Sequence, residues 1–118
     1  MRSALALVVG LLTALSVGGA HGQAGGWVAV AADSAGSAIT TATGPSKAEA
    51  GRRAKTACGR ATCDVVADRQ GGCAGALRLV LMGPVQKWTG QRESEWRTHF
   101  QRTCPSGQCA KAMACVTP

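Results

Sequence analysis

The sequence predicts an α+β domain made of two quasi-repeated units, each ordered strand, strand, helix, strand and cross-linked by disulfide bonds. Three observations predict this fold. The cysteines at 58 and 63 recur 46 residues later at 104 and 109. Residues 26–67 align with residues 72–113 at that offset without a gap, which indicates an internal repeat. Six cysteines in a chain of 118 residues favour a small domain held by oxidised pairs.

The first copy, residues 26–67, begins with a predicted β-hairpin. Residues 26–32 form a short apolar run with β-branched side chains, residues 33–36 have the composition of a turn, and residues 37–43 resume an alternating pattern. Two such runs around a short turn are typical of paired antiparallel strands.

A helix is predicted directly after this hairpin. Ser46 is followed three residues later by Glu49, a capping-box pattern in which the serine oxygen accepts from a free backbone N–H and the glutamate reaches back. Gly59 is a typical C-terminal stop. The face predicted to point inward carries Ala50, Ala54, Ala57 and Cys58. Residues 63–67 then form a short strand.

The second copy, residues 72–113, repeats this order with larger side chains. Residues 72–81 form an apolar strand, a Gly-Pro turn follows at 83–84, residues 85–89 return, and residues 109–115 close the chain as a last strand. The inward helix face carries Trp96, Phe100, Thr103 and Cys104 where the first copy has Ala50, Ala54, Ala57 and Cys58. Large side chains on one helix facing small ones on the other would fill a shared core.

We therefore expect one mainly antiparallel sheet of about six strands with both helices on one face. The short turns disfavour a parallel wound sheet. Two independent lobes are a weaker alternative, because a unit of about 46 residues, counted from the start of one copy to the start of the next, is too short to bury a sufficient core alone.

The repeat also limits the disulfide pairing. Each copy has one cysteine at a helix end and one at the start of the next strand, which favours Cys58–Cys63 and Cys104–Cys109. Cys73 and Cys115 then remain to join across the sheet. A pairing of Cys58 with Cys73 stays open as the alternative. We expect no metal and no cofactor, because four residues between cysteines fit zinc poorly and only His99 could complete a set.

The amino terminus has the pattern of a secretory signal peptide over residues 1–22. Arg2 provides the positive start, residues 4–17 are almost wholly apolar, and small residues follow that are compatible with cleavage between 20 and 24. The apolar run is shorter than the roughly 20 residues that a membrane-spanning helix needs. We expect a single domain at 23–118, secreted or periplasmic, without stable membrane insertion after cleavage.

The charge of the chain favours anionic partners. Lys and Arg number 13 against six Asp and Glu, and this excess promotes association with acidic surfaces. The predicted binding face on the two helices comprises Arg52, Arg53, Lys55, Arg60, Arg92, Arg97 and Arg102. The expected partner is an anionic envelope polymer or an acidic exported protein, and not nucleic acid, because the aromatic residues are not spread as a stacking platform. A simple solvated helix face is the alternative.

The sequence predicts no catalytic residue. An enzyme remains as an alternative: a small cell-envelope hydrolase that would use the carboxylates of Asp64, Asp68 and Glu95, the first two expected on one strand face. The preferred expectation is a non-catalytic exported binding module that acts as an inhibitor or protective factor. A cleft with close carboxylates would favour the enzyme, and a cationic surface would favour binding.

The stretch GWVAVAADSAGSAITTATGPSKAEAGRRAKTACGRATCDVV, followed by GGCAGALRLV, resembles the secreted bacterial family catalogued as domain of unknown function 4189. The matching positions are Trp27, residues 48–50, residues 52–54, and the cysteines at 58, 63 and 73. The second helix departs furthest from the family pattern. The resemblance implies an exported, disulfide-bonded α+β module and carries over no catalytic residue, because the family's recurring positions are structural.

Overall fold

The computed structural model describes residues 26–79 and 83–117, so the predicted signal peptide and its cleavage site lie outside the described residues. Eight elements follow one another along the chain. They are β1 (Trp27–Asp33), β2 (Ile39–Gly44), α1 (Lys47–Cys58), β3 (Cys63–Gln70), β4 (Gly72–Arg78), β5 (Gln86–Gly90), α2 (Glu93–Thr103) and β6 (Ala110–Val116).

The two copies have the same topology. In the first copy β1 lies in the centre and pairs with β2 and β3, and in the second copy β4 lies in the centre and pairs with β5 and β6, all antiparallel. Each helix connects the second and third strands of its own copy. The internal repeat and the element order expected from the sequence are therefore present in the fold.

The prediction of a single six-stranded sheet is wrong. The described residues form two separate sheets of three strands, in the orders β2-β1-β3 and β5-β4-β6. Both edges of β1 and of β4 are occupied by strands of the same copy, so neither central strand can pair with the other copy. The copies share an interior between the sheets instead of a sheet.

This interior explains why both central strands are free of charged residues up to their last positions, Asp33 and Arg78. Val28 and Val30 of β1 pack with Ala74 and Ala76 of β4 and with Val116 in one buried cluster between the sheets. Intervening residues on β1, Ala29 and Ala31, belong to a second cluster under α1. A strand that is covered on both faces has a nearly continuous apolar sequence. Such a sequence does not show which elements cover the two faces.

The helices lie on opposite outer faces of this pair of sheets, which corrects the expectation that both cover one face. Ala50, Ala54 and Cys58 of α1 pack on the outer face of the first sheet. Trp96 of α2 packs on the outer face of the second, where a Cβ at Gly75 would lie 2.9 Å from the Trp96 ring. The predicted packing of large against small side chains between the helices is therefore absent.

A glycine pair makes the transition from one sheet to the other. Gly71 and Gly72, between β3 and β4, have φ values of 70° and 77°, a left-handed conformation that favours glycine. A Cβ at Gly72 would lie 2.6 Å from the carbonyl oxygen of Gly90. Only glycine fits this close approach, so the chain turns here into its second layer.

Arg78 connects the copies at the far end of the sheets. The residue is 4% exposed, and its guanidinium donates to the carbonyl oxygens of Asp33, at 3.0 Å, and Gly36 in the turn between β1 and β2. A buried charge needs such partners, because an unpaired one costs several kcal/mol. The second copy thus fixes the first hairpin of the other copy.

The limits of α1 follow the expected signals. The Ser46 hydroxyl accepts from the backbone N–H of Glu49 at 3.1 Å, and Gly59 ends the helix with φ 78°. The Glu49 carboxylate does not reach back as predicted, because it accepts from Arg52 and Arg53. Ala57, expected to point inward, is exposed, and Gly51 is buried in its place.

All three preferred disulfides are present. Cys58 bonds to Cys63, Cys104 to Cys109, and Cys73 to Cys115. The first two link the end of each helix to the strand that follows, and the third joins β4 to β6. The alternative pairing of Cys58 with Cys73 is excluded. Within the described ranges, neither helix has the length and apolar character needed to span a bilayer.

Candidate functional site

An open groove runs along α1 on its β3 side. Its volume is about 820 Å³, within the range of small-ligand sites. Its lining residues come from the helix, the turn after it and the next strand. They are Lys47, Ala48, Gly51, Arg52, Lys55, Thr56, Gly59, Arg60, Ala61, Val65 and Asp68, and we call this the α1 groove.

The floor of the α1 groove is made of small apolar residues. Gly51 is buried where the helix meets β3, and a Cβ there would lie 3.3 Å from Cγ2 of Val65. This contact is tighter than an ordinary van der Waals contact, so a larger residue at position 51 would require Val65 or the helix to shift by a few tenths of an ångström. Ala48 and Ala61 are exposed beside it, and Val65 is half-buried. The floor is therefore shallow and uncharged.

Cationic side chains line the α1 groove along its whole length. Lys47 begins the helix, Arg52 and Lys55 follow on the same side, and Arg60 lies just after the helix. The ammonium of Lys47 lies 4.0 Å from the carboxylate of Asp68, the one acidic residue of the lining. Among the described ranges Lys55 has no ion pair. The groove therefore has an excess of positive charge.

Arg52 and Arg60 have acidic neighbours that do not neutralise the groove. Arg52 shares the carboxylate of Glu49 with Arg53, and its side chain remains 71% exposed. The Nε of Arg60 lies 3.5 Å from the carboxylate of Asp33, with a side chain that is 70% exposed. The pair of Arg52 with Glu49 is largely exposed and therefore weak. Asp33 is buried, but the side chain of Arg60 lies mostly in solvent, so both guanidinium groups remain accessible to an anion.

Asp33 organises the turn that carries Arg60. Its side chain is 1% exposed and accepts from the hydroxyl of Thr62 and from the backbone N–H of Ala35 at 2.9 Å. These hydrogen bonds, first that of Thr62, hold the pKa of Asp33 below its ordinary value of 3.8, and the charges of Arg60 and Arg78 act in the same direction. The carboxylate is a fixed anion at neutral pH.

The structure divides the predicted basic face. Arg52, Lys55 and Arg60 line the α1 groove. Arg53 lies on the other flank of α1, where it donates to the carbonyl oxygen of Thr43 at 3.0 Å. The three remaining members belong to α2 or its start, on the opposite outer layer. They are Arg92, Arg97 and Arg102. Because the helices are on opposite faces, the seven residues do not form one continuous surface.

Sequence reasoning missed Lys47 as a member of this site. The residue lies inside the capping-box stretch, whose pattern indicates only a helix start. Lys47 and Lys55 are eight residues apart, which places them within about 80° of each other around a helix, and Arg52 lies three residues before Lys55, on a neighbouring position of the same surface. That spacing is the signal in the sequence.

The second copy has an aromatic layer under its helix, with rings at three positions where the first copy has alanine. Trp88 and Trp96 have ring centroids 5.4 Å apart, and Trp96 stacks on Phe100 at 5.9 Å. His99 packs beside both tryptophans at 6.3 and 5.9 Å. The rings lie over small backbone positions, since a Cβ at Gly90 would collide with the Trp88 indole. The layer fills space between α2 and the sheet.

The carboxylates of the alternative hydrolase do not come together. Glu95 caps the start of α2, where it accepts from the backbone N–H groups of Gln91 and Arg92 at 2.8 and 3.3 Å. Asp68 pairs with Lys47 on the outer side of the first sheet. Asp64 instead lines a cleft with Arg78 and Val85.

The expectation that Asp64 and Asp68 share one strand face is wrong. β3 changes register against β1 where Ala67 pairs with Val30 and Val65 pairs with Ala31. The extra residue between them is a β-bulge, which reverses the alternation of the side chains that follow. Within the described ranges, no group of three or more His, Cys, Asp or Glu residues could hold a metal ion.

Comparison with known proteins adds no relative. No family model, no curated protein and no solved structure matches the chain. The geometry of the α1 groove therefore carries the functional argument.

Proposed function

We propose that the protein is an exported, non-catalytic binding module that holds an anionic partner in the α1 groove. The partner class is an anionic envelope polymer or an acidic exported protein, and binding would make the module an inhibitor or protective factor. The groove offers four cationic side chains against a single carboxylate. Cations lining a shallow channel attract anionic ligands and accelerate their association.

The observation that carries this proposal is the difference between the copies. At the positions equivalent to Lys47, Arg52, Lys55 and Arg60, 46 residues further on, the second copy has Glu93, Thr98, Gln101 and Ser106. The fold does not require the cations, because the second copy forms the same strand-helix-strand unit without them. Their concentration in one groove supports a role in binding.

Export is part of the same proposal. Three disulfides and no free cysteine within the described ranges suit an oxidising compartment, and the first 22 residues have the pattern of a signal peptide. Relation to the domain of unknown function 4189 family is likewise a proposal, supported by the alanine-glutamate helix and by the positions of the cysteines.

Binding to sulfated dextran at increasing salt tests the proposal. Affinity should fall steeply with ionic strength, because salt weakens the attraction between exposed charges and at 0.1 M largely screens it beyond about 10 Å. Lys55→Glu should weaken binding about five- to tenfold. Arg102→Glu is the matched control, since it makes the same charge change in the last turn of the other helix, and it should have a much smaller effect. Equal losses in both variants would contradict a local site.

A further inference from the structure

The length of the α1 groove limits the class of ligand that it can bind. This inference rests on the function proposed above. The helix from Lys47 to Cys58 has 12 residues, a length of about 18 Å at 1.5 Å per residue. An extended peptide covers that distance with five or six residues at about 3.3 Å each. The groove is therefore long enough for a short chain segment lying beside the helix.

The apolar floor of the α1 groove favours anions that also carry apolar groups. Ala48, Gly51, Ala61 and Val65 present an uncharged apolar strip between the cationic side chains. An anion carrying only polar groups gains nothing from this strip. A ligand with apolar side chains gains affinity by burying them there, because apolar surface is removed from water.

The spacing of the cationic side chains favours a chain with several acidic groups over a ligand with one anionic group. Lys47 lies at the start of the helix, Arg52 and Lys55 lie along it, and Arg60 lies beyond its end. A lipid concentrates its charge in one head group, which would meet only part of this row. A chain with acidic groups at intervals meets all of it. None of the described residues that line the groove has an aromatic ring, the usual platform for a sugar ring.

Two occupants from the protein itself do not fit. The first 25 residues contain no Asp or Glu, so they cannot neutralise the cations. A second copy of the chain has a net charge of +7, so two grooves or two basic surfaces would repel each other. The acidic ligand of the α1 groove must therefore belong to another molecule.

We propose that the α1 groove binds an extended acidic segment of a partner protein that carries apolar side chains between its acidic residues. The carboxylates of the segment meet Lys47, Arg52, Lys55 and Arg60. The apolar side chains lie on the floor near Ala48 and Val65. Long Lys and Arg side chains allow both contacts, because their aliphatic parts lie along the ligand while their charged ends follow the carboxylates.

Two synthetic peptides of about ten residues test the proposal by calorimetry with the full mature protein. Both have the same number of glutamates, and one has leucines between them where the other has serines. The leucine peptide should bind more tightly by about fivefold for each leucine that reaches the floor. Lys55→Gln should weaken both peptides about two- to fivefold, and Arg102→Gln should leave both unchanged.

A second variant tests the floor directly. Ala48 is exposed on α1, and glutamine is also a good helix former. Ala48→Gln therefore places a polar side chain on the strip without disturbing the fold. This variant should weaken the leucine peptide severalfold and leave the serine peptide nearly unchanged. Circular dichroism of each variant serves as the folding control.

The possible outcomes separate this inference from the proposed function. Equal affinity for the two peptides, with both weakened by Lys55→Gln, would overturn the apolar floor and leave an anion-binding module. Tighter binding of sulfated dextran, or of vesicles rich in phosphatidylglycerol, than of the leucine peptide would assign the groove to a polysaccharide or a lipid surface. If Lys55→Gln weakens none of these ligands relative to Arg102→Gln, the proposed function itself fails.

Discussion

The two copies form the same unit but fill the space under the helix differently, with small side chains in the first copy and large rings in the second. Under α1, Ala29 and Ala31 of the strand meet Ala50 and Ala54 of the helix. Under α2, the equivalent strand positions are Gly75 and Leu77, and the equivalent helix positions are Trp96 and Phe100. The first helix therefore lies close to its sheet, and the second is separated from its sheet by rings.

The difference is the basis of our proposal that the two copies have different tasks. A helix seated on alanine and glycine leaves an open channel beside it, and in the first copy that channel is cationic. In the second copy Arg97 stands where the first has Gly51, and large rings fill the interior. We expect the second copy to supply stability from burial and the first to supply the binding surface.

The largest effect should come from the aromatic layer. Trp96 is 6% exposed, and Trp96→Ala should lower the free energy of unfolding by about 3 to 5 kcal/mol, because it removes a large buried side chain and leaves a cavity. Urea unfolding followed by circular dichroism measures the change. Arg97→Ala, an exposed neighbour, should change stability by about 0.5 kcal/mol or less. Similar losses in both variants would show that the rings do not form the packing centre of α2.

The disulfides should differ between the copies next. Cys73–Cys115 closes a separation of 42 residues, and its removal by paired alanine substitutions should cost about 4 kcal/mol on the loop-closure relation. Cys58–Cys63 and Cys104–Cys109 each close a separation of five, which corresponds to about 2 kcal/mol. The first copy has Trp27 and Arg69 at the positions equivalent to Cys73 and Cys115. Equal midpoints for all three double variants would contradict this ranking.

Introducing a side chain of the second copy at the equivalent position of the first should lower the free energy of unfolding by less than the two preceding changes. Ala54→Phe introduces into α1 the residue that the second copy has at Phe100. Ala54 is fully buried, so the ring has no space and should destabilise the protein by about 1 to 3 kcal/mol. Ala57→Phe, at an exposed position of the same helix, is the control. If the first copy accepts Phe at 54 without loss, the close seating of α1 is not required.

Low pH should destabilise the protein through Asp33 of the first copy. The pKa of Asp33 is lowered in the folded protein, first by the hydrogen bond from Thr62. Below the ordinary value of 3.8, the unfolded chain therefore binds more protons than the folded one, and stability is lost as the pH falls towards the folded pKa. Asp33→Asn should reduce stability at pH 6 and remove this part of the acid dependence. Unfolding midpoints between pH 6 and pH 2.5 would show it, and parallel curves for both proteins would refute it.

Much of the fold could be predicted from local patterns. The repeat, the strand and helix order and the three disulfide pairs depend on short-range signals such as Ser46, Gly59 and the cysteine spacing. The division into two sheets could not be read in this way. Val28, Ala29 and Val30 form one apolar run although they face different layers, and such a run does not specify its partners.

The candidate site was only partly predictable for similar reasons. The cations of the first helix are visible in the sequence, but whether they join those of the second helix depends on which face each helix covers. The bulge between Val65 and Ala67 has no local signature, so the sequence does not show that Asp64 and Asp68 lie on opposite faces of β3. Gly51 acquires its role in the groove only because it meets Val65, a contact across the fold.

Chemical-shift mapping of the isotopically labelled mature protein, titrated with the acidic leucine peptide, tests the division of tasks most directly. The account predicts that perturbed backbone amides cluster around the α1 groove, at Lys47, Gly51, Lys55, Arg60 and Val65. Amides of α2 should not move. Perturbations centred on Arg97 and Arg102, or spread evenly over both helices, would contradict it.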